Sequence, residues 1–115
     1  MARYDLEDRT LKFALDVKKF TSKLPRTIEN IGYIKQLIRA SASKGANYIE
    51  ANECLGAKDK IMKIRISKKE SKESRFYSSL VETDNSKSKE DERNYLIKEA
   101  SELMNIFGAI LKKLN

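Results

Sequence analysis

The chain has 115 residues and a net charge of +7, with 40% hydrophobic and 36% charged residues, one Pro, one Cys, no Trp and no His. This length supports one domain, and the composition suits amphipathic helices better than strands. It excludes a disulfide framework, a Cys/His zinc site and catalysis that depends on a histidine base, while the charge favours polyanionic partners.

No stretch approaches the roughly 20 apolar residues that cross a bilayer, and MARYDLEDRT has no apolar signal core. No membrane partner is expected, and the protein is expected in the cytoplasm. Asp5 is placed to cap a first helix over about residues 6–24, with Pro25 as its stop. Within it Leu6, Thr10, Phe13, Val17, Phe20 and Leu24 recur in steps of three and four, the spacing of one helical face.

Thr27 caps a second helix over about 28–55, after which Gly56 suits a left-handed turn. Its face Ile31, Ile34, Ile38, Ser41, Gly45, Tyr48, Asn52 has the most distinctive texture in the chain. Ser41, Ala42, Gly45 and Ala46 are small enough to let a neighbouring helix come close. At about 1.5 Å per residue this helix spans roughly 40 Å and sets the length of the domain.

A third helix over about 58–81 begins with Ile61 and Ile64 and ends with Phe76 and Leu80. Between them the same face reads Ser67, Ser71, Ser74, Ser78, whose hydroxyls can bond carbonyls one turn earlier. The polar run ETDNSKSK is a loop, and Ser88 caps a fourth helix over about 89–114 with the stripe Leu96, Ala100, Leu103, Phe107, Ile110, Leu114. Four such helices on short connections predict a single all-α domain over 1–115, an antiparallel up-down four-helix bundle.

Four segments carry a family resemblance: YDLEDRTLKFALDVKKFTSKLP, QLIRASASKGANYIEANE, ISKKESKESRFY and LIKEASELMNIFGAILKKL. Together, from Tyr4 to Leu114, they resemble the small bacterial bundle proteins whose reading frames lie within intervening sequences of 23S ribosomal RNA genes. The most specific parts are Gln36 to Glu53 and Leu96 to Leu114. The third helix departs from the family, carrying serines where relatives carry alanines and ending Phe76-Tyr77 in place of a Trp-type ending. The resemblance implies an up-down bundle and a homo-oligomeric ring, a pentamer in several relatives. It also implies distant similarity to the accessory variability determinant of diversity-generating retroelements, which binds a reverse transcriptase and nucleic acid. It implies no established molecular activity and no place in the ribosome.

The strongest functional signal is charge on the third helix, where Lys58 to Arg75 holds eight basic and three acidic residues. Lys58, Arg65, Lys68, Lys69 and Lys72 share a broad face suited to phosphates of RNA or DNA, and a solvated lysine-rich surface is the plain alternative. Three Glu-x-x-Glu pairs, Glu50/Glu53, Glu70/Glu73 and Glu99/Glu102, suggest the carboxylate cages of di-metal bundles, but those cages also need histidines. Salt bridges to Arg39, Arg65 or Arg75, or contacts between subunits, are the expected use, and neither a metal nor another cofactor is expected. Arg39, Asn47, Glu50 and Glu70 are candidates for a buried polar network that fixes helix register, or for a binding site lined by the same groups. The aromatics Tyr33, Tyr48, Phe76, Tyr77 and Tyr95 read as core or subunit-interface residues rather than base-stacking platforms, and no aromatic interleaving of the kind that stacks single-stranded bases is evident on the third helix. The expected role is that of a non-enzymatic nucleic-acid-associated protein, with a protein–protein scaffold for a partner such as a reverse transcriptase as the alternative.

Overall fold

The computed structural model describes residues 3–114. It contains four helices: α1 (Arg3–Thr21), α2 (Ile28–Glu53), α3 (Ala57–Leu80) and α4 (Lys87–Leu114). Each packs on its neighbours, α1 on α2, α2 on α3, α3 on α4 and α4 back on α1, giving a bundle about 46 Å long. No strand occurs among the described residues.

The expected stripe of α1 is buried throughout, Leu6, Thr10, Phe13, Val17, Phe20 and Leu24 all facing inward. In α4, Leu96, Ala100, Leu103 and Phe107 are buried, with Leu111 taking the position expected for Ile110. The buried face of α2 is turned from Ile31 and Ile38, both exposed, toward Leu37, Ala40, Lys44 and Ala51. The turn follows from its two neighbours, since α2 must serve α3 as well as α1.

Four ends differ from expectation, the first being that of α1, which stops at Thr21 and passes through a turn over 22–24 before Pro25. Asp5 lies inside the first turn of α1 rather than capping it, since the helix already begins at Arg3. Gly56 is not left-handed: at φ −98° it is an extended residue in a short connection and itself precedes α3. The left-handed residues are Asp84 and Asn85, which turn the chain between α3 and α4. That turn lets α4 start at Lys87, so Ser86 and not Ser88 flanks it, with the Lys89 amide 3.5 Å from its hydroxyl. Thr27 caps α2 as expected, accepting from the Asn30 amide at 3.1 Å.

Asn30 itself clamps two loops at this end of the bundle. Fully buried, it donates to the carbonyls of Pro25 (2.8 Å) and Glu82 (3.1 Å) and accepts from the Glu82 amide (2.7 Å). Its placement holds the end of α3 beside the start of α2.

The serines of α3 make its polar face compatible with burial. Ser71 and Ser74 donate to the carbonyls of Ser67 and Glu70 one turn back, at 2.9 and 2.8 Å. Ser67 instead reaches across the interface to the Lys44 carbonyl of α2 at 2.8 Å. The small residues of α2 divide: Ser41 is buried, Gly45 faces α1, and Ala42 and Ala46 are exposed. A Cβ on Gly45 would lie 3.0 Å from Thr10 Oγ1 and 3.2 Å from Thr10 Cβ, so this glycine permits the approach of α1. Gly45→Ala is therefore expected to destabilise the bundle by about 1 kcal/mol, although alanine favours a helix interior by a similar amount. Adding Thr10→Ala should relieve the clash and bring the urea midpoint back up. A higher midpoint for Gly45→Ala alone would refute the close approach.

Candidate nucleic-acid interface

Helical periodicity places Lys58, Arg65, Lys69 and Lys72 within about 60° of arc on the outward side of α3, opposite Ile64 and the buried serines. All four are exposed, as is Lys68 at the edge of the same face. The Lys68 side chain runs over α4, where a Cβ on Gly108 would meet its Cε at 3.7 Å. Among the described residues none of these five cations has a carboxylate within 4.0 Å, whereas Lys12, Lys23, Lys63 and Lys87 each have one. Their charge is thus free to act outward.

The four residues expected to form one polar network do not. Arg39 and Glu70 meet, Arg39 donating to Glu70 at 2.9 Å and to Glu73 at 3.0 Å across the α2–α3 seam. Burial, reinforced by the neighbouring negative charge of Glu73, raises the pKa of the Glu70 carboxyl, and Arg39 opposes the rise. Asn47 is occupied within its own helix, donating to the carbonyl and hydroxyl of Ser43 at 2.9 and 3.1 Å. Glu50 is exposed and pairs with Lys63 at 3.1 Å.

Of the arginines expected to receive the paired glutamates only Arg39 does so. Arg75 points to the Ser101 hydroxyl at 3.4 Å, and Arg65 forms no ion pair with the described residues. Arg9 of α1, which drew no attention in the sequence, binds Glu99 of α4 through two bonds of 2.7 Å and Glu102 at 3.0 Å. These pairs therefore spread over separate seams, and among the described residues no three carboxylate or thiol groups converge.

Two further features escape a reading of the sequence. Phe76, expected at the end of the buried stripe, is 58% exposed, because Ser78 occupies the inward position. It lies four residues after Lys72 and seven after Lys69, so the spacing alone contained the signal that ring and cations share a face. Lys44 is fully buried, with Nζ 3.4 Å from the centroid of the Phe13 ring and no hydrogen-bond partner among the described residues.

A second surface lies along the α1–α2 seam. Two adjoining depressions of about 220 and 230 Å³ share Ala14 and Ala42 in their walls. Exposed Leu11, Leu15, Ile38 and Ile49 border them, making an apolar strip on the outside of the bundle. Among the described residues no helix is long and apolar enough to cross a membrane.

An antiparallel four-helix bundle with a serine-filled third helix and a cationic outer face is the class these features define. Residues 3–109 match the family described as 23S rRNA-intervening sequence protein, and the chain belongs to that family. Its fold is similar to that of a solved Bacteroides thetaiotaomicron structure, described as a protein with unknown function from the S23 ribosomal protein family. The TM-score is 0.79 at 23% identity, covering 93% of this chain and 98% of that one. No curated protein matches the sequence.

Proposed function

We propose that this protein is a non-enzymatic, cytoplasmic nucleic-acid-associated protein that binds RNA or DNA through the outward face of α3. The observation that carries the reading is the set of five exposed cations, Lys58, Arg65, Lys68, Lys69 and Lys72, with no carboxylate partners among the described residues. Such cations neutralise phosphates and release counterions, which supplies affinity without base recognition. Reversing Lys68, Lys69 and Lys72 to Glu should weaken binding to structured RNA at least about a hundredfold, since three lost phosphate contacts become three repulsions. Helicity and thermal midpoint should change little, because all three side chains are exposed. Unchanged affinity in that variant would refute the reading.

The same proposal includes a homo-oligomeric ring, five copies being the number that the family resemblance implies. Its support here is the apolar strip of the α1–α2 seam, which a second copy would cover. That strip also favours a second reading, a scaffold that docks a protein partner such as a reverse transcriptase. A partner that co-purifies in stoichiometric amount after nuclease treatment, and is lost on Leu11→Glu, would favour the scaffold.

A further inference from the structure

We infer that the α3 surface takes single-stranded rather than duplex nucleic acid, with Phe76 as the platform on which a base stacks. This rests on reading that surface as the nucleic-acid interface. Phe76 is 58% exposed, and its ring makes an edge-to-face contact with that of Tyr77, with centroids 5.2 Å apart and planes at 77°. Tyr77 is partly buried against the core, so the pair is an anchored ring with an open side rather than a loose side chain. Lys72 stands one helical turn away and Lys69 two, roughly 6 and 10 Å along the axis. Glu73, three residues before Phe76, is held by Arg39 at 3.0 Å, which offsets its charge beside the ring.

This pairing discriminates between strands by simple geometry. A duplex presents phosphates to lysines but keeps its base faces inside the stack, so the ring finds nothing to cover it. A single strand presents both, and base–aromatic stacking is tolerant of sequence because every base has a π-face. Cations alone would favour the denser charge of the duplex. The ring reverses that order.

The test measures binding of an oligouridylate, an oligothymidylate and a DNA duplex of equal length to the full-length protein and to Phe76→Ala, Phe76→Leu and Phe76→Trp. Native protein should favour the single strands, and Phe76→Ala should weaken them about tenfold while leaving duplex binding unchanged. Phe76→Leu should match Phe76→Ala, and Phe76→Trp should retain the preference. As the chain has no other Trp, the emission of Phe76→Trp should be quenched by the single strands and not by the duplex. Equal losses on every ligand, or no loss, would overturn the role of Phe76. A fall in solution mass for Phe76→Ala would likewise overturn it by assigning the ring to a subunit contact. Failure of every ligand to bind the native protein would overturn the nucleic-acid reading itself, an outcome distinct from these.

Discussion

Lys44→Met should stabilise the bundle by about 3 kcal/mol at pH 7, the opposite of what most core substitutions do. Lys44 is 0% exposed, and its Nζ has no hydrogen bond among the described residues. The carboxylates that favour its charge, Glu99 of α4 and Glu70 of α3, are engaged by Arg9 and Arg39. The Phe13 ring below the ammonium offsets part of the desolvation, on the order of 2 kcal/mol. Burial nonetheless pushes the Lys44 pKa down to about 7 from 10.5. Between these values the unfolded chain holds a proton that the folded protein has released, so stability rises with pH across that window. Below about pH 7 both states are protonated at Lys44 and its penalty is present in full. Methionine keeps the apolar stem and removes the proton. The advantage of Lys44→Met should therefore be largest at and below pH 7 and shrink steadily toward pH 10.5. Urea titrations of both proteins at matched pH values measure it, and a variant less stable than the native protein at pH 7 would refute a net penalty for the buried ammonium.

In the proposed ring, Leu15→Glu combined with Ile38→Glu should release single subunits without unfolding them. Both side chains are already about half exposed, 48% and 46%, so neither change opens the core of a subunit. Two carboxylates per copy placed on a dry contact would be desolvated without partners, which costs several kcal/mol per interface. Light scattering reads the mass and circular dichroism the fold. Nucleic-acid affinity should fall with the mass by about two orders of magnitude, because a ring holds several copies of a weak cationic face at high effective concentration. A mass unchanged by the double substitution would refute the α1–α2 seam as the contact.

How legible these features are in the sequence depends on the number of neighbours a helix has to satisfy. In α1 and α4, strong apolar stripes specify the inward face, with one exchange in α4, where Leu111 is buried in place of Ile110. In α2 the obvious small-residue face is only one edge of what is buried, since Leu37, Ala40 and Ala51 are buried as well and α2 packs on α3 in addition to α1. For α3 the serine register is readable, but Phe76 and Leu80 read as core because the eye follows hydrophobicity, whereas the backbone phase gives the inward place to Ser78. Lys44 is unreadable for a different reason. A lysine in a helix ordinarily snorkels to water, and only the packing of Phe13 and Ser67 around it shows that this one does not. Arg9 and Asn30 are likewise silent, their partners being about 90 and 50 residues away in the chain.

Binding of nucleic acid by the outward face of α3, through cations with no carboxylate partner among the described residues, is measured most directly by affinity across a salt series. Native protein and the Lys68, Lys69, Lys72→Glu variant would be titrated with structured RNA and single-stranded DNA, with solution mass recorded on the same samples. The native protein should bind near physiological salt, with log affinity falling linearly with log salt. The slope should steepen by about 0.7 for each single-strand phosphate neutralised and be shallower in the variant. A flat salt dependence, or native and variant lines that coincide, would contradict binding through these cations.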